Sequence, residues 1–469
     1  MSDFSSKNLY KCLTFLFLLA FAVAGNAFAQ NGNASERGLA RGQAAINKLG
    51  NRLPEVALKH GKSANELRRL FLEDSSLFVD DADMLLYIDE NQEMQNLTSN
   101  APVVSAAAPF PYSQTFQLHS RPGSNRVIYL DFDGHVTSNT AWNSSYTNGQ
   151  PINSAPFSID ADTTTFNQQE QDAIQYIWQR VAEDYAPFDV DITTQDPGDA
   201  AIFRSTTSDL QYGTRAVISP TNFTGQSIGG IAYVGVFNNV GTTYKPAFVM
   251  TSGLGNNEKN IAEATSHEVG HNLNLNHDGT ATQGYYAGHG DWAPIMGVGY
   301  YKNVTQWSKG EYPGANQFQD DLAVMQTYGI SLIADDHGNT TATATALSGT
   351  NINASGLITT RTDADVFKFS TGSGNVTINL NPAPLGGNLD IQAKISDASG
   401  NVLAASDLTG LTASFNQFLS AGVYYLTIDG VGAGDLITGY SDYGSIGQYS
   451  ISGTLVASST GPQPPVAVI

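Results

Sequence analysis

Residues 267–278 read HEVGHNLNLNHD, and the spacing of their histidines dictates a local structure. On a helix, His267 and His271 are four residues apart and share one face, so both imidazoles reach a single ion. Glu268, one position on, lies beside the water that such an ion holds. His277 is six residues beyond His271 and cannot share that face. The chain therefore turns sharply after about residue 273 and brings His277 back. In the pattern H-E-x-x-H-x-x-G-x-x-H the turn falls on a glycine, whose backbone adopts positive φ at little cost. Here the position holds Asn274, and asparagine is among the few other residues that enter the left-handed region readily.

Three neutral histidines and one open position describe a catalytic zinc site. Zinc lowers the pKa of its water towards about 7, and Glu268 is placed to take the proton as that water attacks a carbonyl. The ion also polarises the carbonyl oxygen, and Glu268 later returns the proton to the leaving amine. Asp278 is either a hydrogen-bond partner of the ligand set or a turn residue.

Upstream, RVIYLDFDGH (126–135) opens an α/β pattern. The stretch FNQQEQDAIQYIWQRVAEDY (166–185) places Ile174, Ile177, Trp178, Val181 and Tyr185 on one helical face, and Pro187 stops it. FDVDITT (188–194), AVISP near 216, GGIAYVGVF (229–237) and AFVM (247–250) read as strands, before a helix over about 258–273. Beyond residue 333 the period changes to two. VFKF (366–369), NVTINL (375–380), LDIQAKI (389–395), VYYLTI (423–428) and QYSISGTL (448–455) predict an all-β sandwich.

The first residues set the expected compartment. Lys7 and Lys11 precede the apolar run LTFLFLLAFAVA, and Ala27-Phe28-Ala29 fits a signal-peptidase site, predicting a secreted protein with residues 1–29 removed. No later stretch has the roughly 20 apolar residues of a membrane span. Cys12, the only cysteine, lies inside the signal, so neither disulfide nor thiolate stabilises the mature chain. The formal charge of −21 excludes ready binding of nucleic acid or anionic lipid. Residues 30–120 carry helical patterns, including GKSANELRRLFLED with Ser63 and Glu66 at capping-box spacing, and end in an Ala/Pro-rich stretch. They read as a removable helical pro-segment or as a small helical domain that stays attached. A pro-segment without cysteine has to block a metal cleft by some means other than a thiolate.

At this point the chain resembles the metzincin zinc metallopeptidases, in particular the reprolysin-like branch, where an Asp follows the third His. The resemblance implies an α+β catalytic domain, a mixed sheet with long helices and a zinc cleft, over residues 121–332. It also implies a methionine turn beneath the zinc, which APIMGVGYY (293–301) matches with Met296. In some members a tyrosine two residues after that methionine approaches the zinc; here the position is Val298, with Tyr300 two further on. GGIAYVG (229–235) is similar to the edge strand on which these peptidases lay extended substrate, a mode in which main-chain hydrogen bonds give affinity. A buried strand is the alternative. Residues 333–457 resemble the bacterial pre-peptidase C-terminal domain, and 458–469 form a tail. Asp363 and Asp365, with Asp390, are candidate calcium ligands or turn formers. His60, His119, His135, His289 and His337 lack ligand spacing, and Trp307 reads as a core anchor.

The expected function is a monomeric, extracellular zinc endopeptidase acting on proteins or peptides. Two alternatives use the same residues: a silent adhesion protein with a structural metal, in which Glu268 has no task, and a hydrolase of non-peptide amides.

Overall fold

The computed structural model describes residues 38–90, 108–160 and 162–457, so the expected signal at 1–29, most of the Ala/Pro-rich stretch and the expected tail at 458–469 lie outside the described residues. Among the described residues no helix is long and apolar enough to cross a membrane.

The N-terminal block is more than helical. It runs β1 (Ala40–Arg41), α1 (Gly42–Leu49), α2 (Leu53–Lys59), α3 (Ala64–Glu73), β2 (Leu77–Val79) and β3 (Leu85–Glu90). Ser63 and Glu66 close the expected capping box at the start of α3. The strands have a physical reason. Leu85 and Tyr87 pack on the helices with Leu67, Leu70 and Phe71, while Leu86 and Ile88 join Trp142, Ile231 and Phe248 on the other face. A segment buried on both faces has a continuous apolar run, and periodicity alone does not mark it as a strand.

β4 (Arg126–Asp131) begins the next block, followed by the hairpin β5 (His135–Thr137) and β6 (Ile152–Ser154) with α4 (Ala141–Tyr146) between them. Then come α5 (Gln168–Asp184), β7 (Asp191–Thr193), α6 (Asp199–Ile202), β8 (Tyr212–Ser219), β9 (Ile228–Tyr233), β10 (Ala247–Met250) and α7 (Glu258–Asn272). One eight-stranded mixed sheet has the order β1-β2-β3-β9-β10-β8-β4-β7. Strands β10, β8, β4 and β7 are parallel neighbours, and β9 is antiparallel to both β10 and β3. The N-terminal block thus extends the sheet, and β9 is not an edge in this chain.

β9 is also shorter than the apolar run that predicts it. Gly235 has φ 68°, and the chain leaves the sheet to cap a helix. The Gly235 amide donates to the His271 carbonyl, and Val236 and Phe237 donate to that of Asn272. The last carbonyls of α7, which have no intrahelical partner, are satisfied in this way.

α5 starts at an Asn167–Glu170 capping box and packs its expected apolar face against α7. The contact is pinned by charge as well. Glu263 on α7 pairs with Arg180 at 2.5 Å and Lys259 at 3.1 Å. After α7, the parallel pair β11 (Trp292–Pro294) and β12 (Val304–Gln306) frames the methionine turn, and α8 (Asp321–Thr327) closes the block.

The C-terminal part is two all-β sheets with inward and outward side chains alternating. Strands β13 (Thr345–Ala346), β14 (Asn351–Ile358), β15 (Ala364–Thr371), β16 (Gly374–Pro382) and β17 (Ile391–Asp397) come first. β18 (Val402–Ser406), β19 (Ala413–Leu419), β20 (Gly422–Gly430) and β21 (Gly447–Thr454) complete it, ordered β13-β15-β20-β17-β18 and β14-β21-β16-β19. Buried bonds join this part to the preceding block. Glu183 accepts from the Gln448 amide and side chain, both at 2.9 Å, and Asp184 accepts from Asn388 at 2.9 Å.

Candidate metal centre

α7 carries His267, Glu268 and His271 on one buried stretch, and the turn after it has the expected form. Asn274 has φ 73°, its amide donates to His271, and the Leu275 amide reaches back to Gly270 at 3.0 Å. That 6→1 bond around a left-handed residue is the Schellman ending of a helix, here with asparagine in the usual place of glycine. The reversal brings His277 to the other two histidines. Its ring centroid lies 4.9 Å from that of His271 and 5.1 Å from that of His267.

Each imidazole is held by its Nδ1. His267 donates to the Ile295 carbonyl and His271 to the Leu275 carbonyl, both at 2.8 Å. His277 donates to Asp74 Oδ2 at 2.8 Å, with Ser76 Oγ at 3.2 Å. With the protons on Nδ1, the Nε2 lone pairs are free and face inward. His271 Nε2 and His277 Nε2 stand 3.1 Å apart. Two ring nitrogens this close need a proton or a metal ion between them, and the inward convergence of three Nε2 atoms fits a metal ion of the kind that takes imidazole nitrogen. Asp89 completes a group whose ligand atoms all lie within 4.8 Å of one another. Its Oδ2 is 3.1 Å from His267 Nε2, and its Oδ1 is 3.3 Å from His277 Nε2.

The electrostatics match a buried charged cluster. Burial, and then the Asp89 carboxylate, push Glu268 well above the usual carboxyl range. Burial, together with the neighbouring imidazoles, lowers His271 to about 4. Burial alone would lower His277 too, but Asp74 and Asp89 outweigh it and hold that ring at about 9. Asp74 and Asp89 thus call for positive charge at this point.

The surroundings explain two glycines. A Cβ on Gly230 of β9 would stand 1.9 Å from Glu268 Oε1, so only glycine leaves that carboxylate its place. A Cβ on Gly270 would stand 2.6 Å from the sulfur of Met296, which is fully buried beneath the helix. Met296 is tied to the third histidine's loop, because its carbonyl accepts from the Asp278 amide at 2.8 Å. The Asp278 side chain accepts from the Tyr312 hydroxyl at 3.3 Å. Its link is therefore to the methionine turn and Tyr312.

A cavity of about 250 Å³ opens beside the cluster, lined among others by Gly229, Ala264, Glu268, Val298 and Tyr300. Two aromatic rings lie against the imidazoles: Tyr87, 4.2 Å from His271 and 4.0 Å from His277, and Tyr285, 4.2 Å from His277 and donating to Asp89 Oδ1 at 3.2 Å. Sequence spacing points to none of Asp74, Tyr87, Asp89 or Tyr285. Their only trace is an acidic residue ending the apolar run LLYIDE and a tyrosine pair after the third histidine.

The other histidines lie elsewhere. His60 bonds Asn274, His119 bonds Asp191, His289 bonds Tyr286 and the Gly439 carbonyl, and His337 bonds Thr345. His135 lies 3.7 Å from Asp131. Trp307 is buried and donates to the Asp184 carbonyl. The proposed calcium ligands do not gather as a group. Asp363 accepts from Thr359 in a turn and Asp390 from Tyr440, whereas the acids that converge are Asp335, Asp336 and Asp365.

Residues 161–278 match the family described as metallo-peptidase family M12B, reprolysin-like. The matched segment contains Glu268 and all three clustered histidines and ends on Asp278, and it makes this part of the chain similar to a metallopeptidase domain of that kind. No curated protein matches the chain. Among solved structures, the pre-peptidase C-terminal domain of a collagenase from Bacillus anthracis is similar at 19% identity, over 24% of this chain and 96% of that one, with a TM-score of 0.19. A mitogen derived from Yersinia pseudotuberculosis is similar at 12% identity, over 24% and 91%, with a TM-score of 0.17.

Proposed function

We propose that this chain is a secreted zinc-dependent endopeptidase that cleaves extracellular proteins, with His267, His271 and His277 as metal ligands and Glu268 as general base. The observation that carries this reading is the convergence of three Nε2 atoms beside a buried glutamate at the wall of an open cleft.

When bound, zinc supplies Lewis acidity, which sharpens the attacking water and polarises the scissile carbonyl. The chain does the rest. The Ile295 and Leu275 carbonyls hold two imidazoles in the tautomer that presents Nε2. Glu268, buried beside the ligand set, would accept the proton of the water and pass it on to the leaving amine. Gly230 keeps the space between strand and carboxylate clear, and β9 would offer main-chain groups to an extended peptide once β3 has left it. Asn274 carries the turn, and Met296 and Asp278 brace the loop of the third ligand.

The test is casein hydrolysis by the purified mature protein. Activity that is lost to a zinc chelator, restored by zinc and absent in Glu268→Ala supports the reading; chelator-resistant hydrolysis, or full activity in metal-loaded Glu268→Ala, refutes it.

A further inference from the structure

The N-terminal block does more than cover the cleft. β3 pairs antiparallel with β9, with Ile88 opposite Ile231 and Asp89 opposite Gly230, so it occupies the strand position that an extended peptide would take. Alternation along β3 puts Leu85, Tyr87 and Asp89 on one face. That face meets the imidazoles. Tyr87 stacks on His271 with centroids 4.2 Å apart, and the Asp89 carboxylate is turned towards all three Nε2 atoms.

We infer that Asp89 is a fourth ligand of the bound metal in the uncut chain, and that the block 38–90 thereby holds the enzyme latent. This rests on the metallopeptidase reading above. The carboxylate fills the coordination position that the attacking water needs, and β3 fills the substrate's strand site. A carboxylate takes the role here that a thiolate cannot, because the mature chain has no cysteine.

Three further contacts of the same block bear on the site. Asp74 orients the third ligand through His277 Nδ1. His60 is gripped by Asn274, whose Oδ1 lies 3.0 Å from His60 Nδ1 while its Nδ2 donates to the His60 carbonyl at 3.3 Å. The Tyr328 hydroxyl donates to the Lys59 carbonyl at 3.2 Å. Departure of the block therefore frees the metal, the strand site and one side of the turn together, and water takes the position Asp89 leaves.

The test uses the full chain in a Glu268→Ala background, which keeps it uncut, loaded with cobalt(II) in place of zinc. Its visible spectrum and its affinity for acetohydroxamate are compared with those of the same chain carrying Asp89→Asn or Asp89→Ala. The expected result is a changed cobalt spectrum and acetohydroxamate binding tightened at least tenfold in both Asp89 variants. Identical spectra and affinities overturn the proposal. In the wild-type background, the chain cut between the block and β4 is expected to cleave casein while the uncut parent does not, because β3 keeps the strand site filled until it leaves; equal activity of the cut and uncut chains also overturns it. A cobalt response to Asp89 without casein activity in any form, cut or uncut, would leave Asp89 a ligand and refute the peptidase reading instead, along with latency.

Discussion

Gly230 and Glu268 approach so closely that a methyl carbon on the first would stand 1.9 Å from Oε1 of the second. The carboxylate proposed as general base is thus positioned by the absence of a side chain on the neighbouring strand. Gly230→Ala is expected to displace Glu268 and cut kcat of the mature enzyme by about 100-fold, as small misplacements of catalytic groups do. Zinc content measured on the same preparation should be unchanged, because Gly230 lies against none of the three imidazole Nδ1 anchors.

Glu268→Gln keeps the shape of the side chain and removes the base. Hydrolysis should fall by about 100- to 10,000-fold, the usual weight of general acid–base catalysis. Zinc stoichiometry by elemental analysis should stay at the wild-type value, whereas His271→Ala should lower it.

Asn274 separates two demands that a glycine would not. Asn274→Gly keeps the left-handed turn and loses the grip on His60, so zinc should be retained while amide exchange in residues 53–60 quickens. Asn274→Ala also loses the grip and, lacking the side-chain amide that eases asparagine into the left-handed region, bears at φ 73° a cost of about 1–2 kcal/mol that glycine is spared. Its thermal midpoint should fall below that of the glycine variant.

Glu183 gives a pH dependence with a definite sign. Burial raises its carboxyl from 4.5 to about 8, so the folded chain keeps a proton that the unfolded chain has lost. Stability from this group is full below about pH 4.5 and is lost as the pH rises towards 8, with a slope of at most about 1.4 kcal/mol per pH unit. Glu183→Gln should flatten that part of the curve. Denaturant unfolding of both proteins at intervals from pH 5 to 8 checks it, and parallel curves refute it.

The helix, the turn and the three histidines were legible because their relations are local: a spacing of four fixes a face, and a short reversal fixes the rest. The methionine turn was legible through resemblance, and the sandwich through its period of two. Asp89 was not, since 178 positions separate it from His267 and only strand pairing brings them together. The strands of the N-terminal block were hidden for another reason. LLYIDE is apolar on both faces, and no alternation survives to be read. The stretch 229–235 read as an edge strand is a strand paired on both sides, as the buried-strand alternative has it, because β3 takes the edge that the resemblance left open.

Asp184 divides its two oxygens between halves of the molecule: one accepts from Ser266, the residue before the first histidine, and the other from Asn388 in the sandwich. Burial raises this carboxyl to about 7, beside Glu183 at about 8. Shedding the sandwich would let water reach both, and at neutral pH both would ionise under the metal helix. Loss of the C-terminal module would then be felt at the catalytic centre as added negative charge, and a foreign module grafted in its place would have to bring its own equivalents of Asn388 and Gln448.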